Sequence, residues 1–189
     1  MQAVKKEGDL AVEKYALEYD RADLRNNLVT QEEWNAAEQK LAEPLKAAIR
    51  QAKKNIEQFH SKQRMEEDVV ETMPGVRCWR KSVPLEKVGL YIPGGTAPLF
   101  STVLMLAVPA MIAGCHEIVL CSPPGKQGGL HPAILYAAYI SGLRKIHKVG
   151  GVQAIAAMAY GTETIPRVDK LFGPGNQYVT VAKQLIQMQ

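Results

Sequence analysis

The 189-residue chain has no run of about 18 apolar residues, so it encodes no transmembrane helix. Its opening stretch, MQAVKKEGDLAVEKY, mixes charges in an amphipathic pattern and lacks the apolar centre of a secretory signal. Cysteine is scarce and odd in number. Cys78, Cys115 and Cys121 sit in apolar or strand-like surroundings and read as reduced thiols of a cytoplasmic protein, which excludes a disulfide framework. Excess charge is also small: a net +4 falls short of what nucleic-acid binding asks for, and nothing points to a membrane. His116, His131 and His147 lie in three separate segments without an i, i+4 partner or an acidic neighbour at ligand spacing. The sequence therefore offers no metal constellation and no general-base pair. Apolar residues are plentiful at 47%, which excludes disorder and suits one domain, or one large domain with an appendage.

The charges are unevenly placed. Residues 1–87 hold 16 of the 23 basic and 16 of the 19 acidic side chains, and the sparsely charged remainder carries the whole +4. Two regimes of burial follow: a solvated helical part, then a compact part whose elements lie mostly inside. The mild basic bias of the second part suits an anionic ligand better than a cationic one.

The first part predicts helices. Val4, Leu10, Ala11, Tyr15 and Leu17 form a loose helical stripe that Asp20, Asp23, Asn26 and Asn27 break. Thr30 and Glu33 have capping-box spacing behind the apolar pair Leu28–Val29. From Trp34 to Phe59 apolar residues recur at steps of three and four, and Pro44 predicts two helices or one kink. His60 suits a charge complementing the C-terminal end of its helix. Nothing in this part carries chemistry; it reads as a covering or interaction surface.

Pro74–Gly75 opens a different texture, with a strand over 76–83 in an antiparallel ribbon. Strands then start near 87, 117, 145 and 168, at intervals of 23 to 30 residues, with helical patterns between them. This is the βαβ repeat of a parallel, doubly wound sheet. The division that follows is a helical segment over 1–73 and an α/β domain over 74–189. The last residues, VTVAKQLIQMQ, stop without a cap, as though the chain were cut.

Three of the four strands run into glycines directly before a helix: Gly94-Gly95, Gly150-Gly151 and Gly173-Pro174-Gly175. None is a G-x-G-x-x-G fingerprint or a P-loop. Open α/β sheets bind ligands beyond the carboxyl ends of their strands, where glycine lets backbone N–H groups approach a phosphate. Tyr91 sits one residue from the end of the first core strand, beside the glycine pair, where its phenol either meets a ligand or is buried with its hydroxyl satisfied. Gln153 stands in the first turn of a helix of small and apolar residues, so its amide has to find partners, and the helix N-terminus aims it at a ligand. Asn176 fits an N-cap and equally a donor to ligand oxygens.

The runs VGLYIPGGTAPLFSTVLMLAVPA, AGCHEIVLCSPP, KVGGVQAIAAMAYGTETIP and VDKLFGPGNQYVT resemble histidinol dehydrogenase. KNIEQFH and PGVRC resemble that family's leading segment, so the likeness covers essentially the whole chain. Complete family members are more than twice as long, and the sequence is similar to an N-terminal-half portion. The resemblance implies two incomplete Rossmann-like domains, a homodimer, and oxidation of L-histidinol to L-histidine through the aldehyde, in histidine biosynthesis, with NAD and zinc. It puts NAD contacts on Tyr91, Gln153 and Asn176. No motif here matches the family's zinc ligands, substrate groups or acid/base pair, so this chain alone is expected to seat NAD and be inactive. The rival expectation is a non-catalytic nucleotide-binding or dimerisation module.

Overall fold

A computed structural model describes residues 1–22, 26–95, 97–125 and 128–188. Asp23 of the expected helix break, and Lys126 of the loop before the 132–140 helix, lie outside the described residues. The elements run α1 (Gln2–Glu7), α2 (Asp9–Tyr15), a π-helical turn (Ala16–Asp20), α3 (Gln31–Gln39), α4 (Glu43–Ser61), β1 (Val70–Met73), β2 (Val76–Cys78) and β3 (Lys87–Tyr91). There follow α5 (Phe100–Ala113), β4 (Glu117–Cys121), α6 (Pro132–Ile140), β5 (Lys145–His147), α7 (Gly151–Tyr160), β6 (Lys170–Phe172) and α8 (Gln177–Gln187).

Four strands form one sheet in the order β5-β4-β3-β6, every pair parallel, as the repeat predicts. The chain steps from β3 to β4 to β5, then returns across the sheet through α7 to lay β6 on the other side of β3. Strand order therefore reverses between β3 and β6, the position at which open α/β sheets commonly bind ligands. Alternation along each strand supplies the two faces. Val88, Leu90, Leu120 and Ile146 pack with α5 and α6, while Tyr91, Val119 and Cys121 pack with α7 and α8. Both faces of β3, β4 and β5 are covered, which is why their residues past the first are apolar or buried, while β6 is largely exposed.

The N-terminal helices complete both cores. Val4, Ala11, Val12 and Ala16 join the α7 side; Trp34, Ala37, Leu41 and Ile49 join the α5–α6 side. Thr30 caps α3 in a full capping box with Glu33, and Pro44 sits in the first turn of α4, so the apolar run divides into two helices. Glu33 serves twice: its carboxylate also pairs with Lys148 at 3.0 Å, fastening α3 beside the loop that follows β5. Residues 27–29 run along the outer edge of β5, with Val29 N–H donating to Ile146 O and Lys148 N–H to Asn27 O. That contact closes an otherwise open sheet edge.

The ribbon differs from the sequence expectation. It is a hairpin of β1 and β2 turning at Pro74–Gly75, and residues 79–85 form no strand. Pro84 and the polar run Arg80-Lys81-Ser82 leave no period-two pattern to pair, and the partner strand precedes the turn.

Candidate functional site

Of the expected residues, Gln153 and Asn176 share one groove near the reversal point, and Tyr91 lies beneath it without lining it. After β5 the chain turns through Gly150 into α7, with Gly151 at φ +63°, a left-handed conformation that glycine adopts without steric cost. The Gly151 N–H donates to the Tyr91 hydroxyl at 2.9 Å. Tyr91 is thus buried beneath the α7 N-terminus, its hydroxyl satisfied, and burial raises its pKa above the ordinary phenol value. One of the N–H groups expected to be open to a phosphate is therefore already engaged.

Beyond β6, Gly173 adopts φ +131° and passes so close over β3 that a Cβ there would stand 2.1 Å from the Tyr91 carbonyl oxygen. Only glycine fits that crossing. Lys183 then donates to the Gly173 carbonyl at 2.7 Å, and Asn176 caps α8, its Oδ1 accepting from Val179 N–H at 3.1 Å. Gly94 and Gly150 are needed for another reason. Each packs against the ring of Pro123, closing the loops after β3, β4 and β5 onto one another.

Gln153 and Asn176 line a groove of about 660 Å³ between the N-termini of α7 and α8, roofed by the N-terminal helices through Met1, Val4, Tyr15, Tyr19 and Asp20. Gly151, Val152 and Tyr178 complete its lining. That volume lies within the roughly 300–1,000 Å³ of small-molecule and cofactor sites. Gln153 is only 6% exposed, and its Nε2 donates to Asp20 Oδ2 at 3.1 Å. Partial burial raises the Asp20 carboxyl pKa, against the lowering effect of the Gln153 amide. Tyr15 and Tyr19 stack with centroids 6.0 Å apart.

Sequence reasoning singles out Gln153 and Asn176, which line the groove, and Tyr91, which does not, and it passes over the roof. Tyr15, Tyr19 and Asp20 come from the part that reads as carrying no chemistry. A trace is there: two tyrosines at i, i+4, followed at once by an acid. Among the described residues no three His, Cys, Asp or Glu side chains gather to hold a metal, so the zinc implied by the resemblance finds no donor set here. Cys121 is buried, which pushes its thiol pKa up and leaves it unreactive. No helix among the described residues is long and apolar enough to cross a membrane.

Comparison with known proteins agrees with this architecture. The family model described as histidinol dehydrogenase matches residues 1–189. The chain is 63% identical to a histidinol dehydrogenase of Bacteroides thetaiotaomicron over 98% of its own length and 44% of the relative's. With that of Salmonella typhimurium the identity is 52%, over 98% of the chain and 42% of the relative. A crystal structure of histidinol dehydrogenase from Elizabethkingia anophelis superposes with a TM-score of 0.96 at 50% identity, covering 99% of this chain and 43% of that one. The chain thus spans less than half the length of the relatives it matches.

Proposed function

This chain belongs to the histidinol dehydrogenase family, and from that premise we propose that it seats NAD in the groove between α7 and α8. On this reading it serves the oxidation of L-histidinol to L-histidine in histidine biosynthesis, in the cytoplasm. Residues 74–189 hold the dinucleotide-binding unit and residues 1–73, helical up to the β1 strand, its cover. The observation that carries the reading is the meeting of Gln153 and Asn176, which follow two different strands, in one groove at the point where strand order reverses.

NAD would supply the hydride acceptor. The chain's own residues would bind and orient it: the Gln153 amide and the Asn176 side chain as polar contacts, and Tyr91 by fixing Gly151 from below. Tyr15, Tyr19 and Tyr178 provide aromatic surface for a base and exclude water. Zinc binding and proton transfer are assigned to the portion of such proteins that this chain does not span.

A homodimer is part of the same proposal. It is supported by the exposed arm around β1 and β2, where Met65, Val70, Met73, Trp79 and Val83 present apolar surface to solvent.

Calorimetric titration of the purified chain with NAD⁺ tests the central reading. Saturable one-site binding is expected, and the absence of heat at millimolar NAD⁺ overturns it.

A further inference from the structure

Dinucleotide folds with this strand order commonly place an acid at the end of the second strand, where it takes the ribose hydroxyls. Here the second strand, β4, ends in Cys121-Ser122-Pro123-Pro124 and offers none. The third, β5, runs into His147-Lys148-Val149-Gly150, and its lysine is engaged by Glu33. The sheet itself therefore brings no carboxylate to the groove.

The roof does. Asp20 ends the π-helical turn and is the single carboxylate among the described residues lining the groove, and no Lys or Arg is among them. Its Oδ2 is held by the Gln153 amide at 3.1 Å, while no donor among the described residues reaches its Oδ1. One oxygen is thus anchored, and the other has no donor among the described residues and can accept from a ligand. A vicinal diol donates hydrogen bonds to such a group. A phosphate ester at the same place brings two negative charges against a carboxylate, with no Lys or Arg among the described lining residues to offset them.

We propose that Asp20 is a specificity-determining residue of this site, selecting a dinucleotide with a free ribose 2′-hydroxyl and rejecting one with a 2′-phosphate. The proposal rests on the reading of the groove as a dinucleotide site. It adds that discrimination comes from the N-terminal cover and not from the sheet. Gln153 then has a second duty, since it holds the discriminating carboxylate in place.

Parallel titrations with NAD⁺ and NADP⁺ test this in the protein that carries the chain, unmodified and as Asp20→Asn, Asp20→Glu and Gln153→Ala. Asp20→Asn retains the size of the side chain and removes its charge. The unmodified protein is expected to bind NAD⁺ at least about tenfold more tightly than NADP⁺, like-charge contact being strongly unfavourable. Asp20→Asn should shrink that ratio to about threefold or less by strengthening NADP⁺, and Asp20→Glu should keep it. Gln153→Ala should weaken NAD⁺ and narrow the ratio less than Asp20→Asn does. An unchanged ratio in Asp20→Asn, with NAD⁺ still bound, overturns the proposal and leaves the groove assignment standing. Equal affinity of the unmodified protein for both dinucleotides also overturns it. Binding of neither by the unmodified protein overturns the groove assignment, and this proposal with it.

Discussion

The Tyr91 hydroxyl receives the Gly151 N–H at 2.9 Å, so the end of β3 is tied to the first residue of α7 across the reversal point. The bond also fixes where the α7 N-terminus stands relative to the groove. Tyr91→Phe removes the acceptor while preserving the ring's packing, and leaves a partly buried N–H without its partner. A stability loss of about 1–2 kcal/mol is expected, read as a lowered midpoint in urea unfolding at unchanged slope. NAD⁺ affinity should fall several-fold with it. An unaltered midpoint would show that water replaces the hydroxyl at no cost.

Asn176 has two roles that separate cleanly. Its Oδ1 caps α8 through Val179 N–H, and the residue lines the groove. Asn176→Ala should cost about 1 kcal/mol as a lost cap. Asn176→Asp keeps the capping oxygen and adds negative charge at a site proposed for a dinucleotide. Thermal stability should therefore be retained in the aspartate variant while NAD⁺ affinity drops about tenfold or more. If affinity follows stability in both variants, Asn176 is a cap and not a ligand contact.

The parallel sheet is legible in the sequence because its determinants are local. Four apolar strand segments at regular spacing, most with their own turn glycines, permit few other topologies. The places of Tyr91, at the end of β3, and of Gln153 and Asn176, just after β5 and β6, are legible for the same reason, since a position at or just past a strand end is already fixed in the fold. What escapes depends on contacts distant in sequence. Gln153 meets Asp20 and Glu33 meets Lys148, more than a hundred positions apart, and no periodicity encodes such pairs. The turn glycines, taken as sequence, suggest ligand approach. Gly173 is instead required by a backbone crossing over Tyr91, and Gly94 and Gly150 by the ring of Pro123, neither visible without the neighbouring loop.

The isolated chain is expected to be inactive. Among the described residues there is no metal-holding group, and the sequence offers no acid/base pair for the hydroxyl proton of histidinol. Purified chain supplied with L-histidinol, NAD⁺ and zinc should yield no NADH above the rate without protein, followed by the near-ultraviolet absorbance of the reduced nicotinamide. Sustained NADH production would place the missing proton-transfer groups within these 189 residues.

His147 makes stability depend on mild acid. The ring is 2% exposed at the end of β5, and burial lowers its pKa to about 4. Asn27 Nδ2 donates to Thr164 Oγ1 at 2.7 Å, which leaves Asn27 Oδ1 as acceptor for the His147 Nδ1–H, also at 2.7 Å. The imidazole is thus held neutral in a network joining residue 27 to the loop before β6. In the unfolded chain its pKa is about 6.5, so between these values the unfolded state binds the proton that the folded state refuses. This penalty is absent well above pH ~6.5, grows as the pH falls, and levels off below about 4. At most it amounts to about 3 kcal/mol. Urea unfolding at pH values of about 7.5, 6.5, 5.5 and 4.5 should show a declining free energy across the last three points. His147→Gln, which has no proton to bind, should be less stable at the highest pH yet nearly flat over the same range. Parallel pH slopes for the two proteins would show that His147 is charged in the folded state and that its burial does not govern the response.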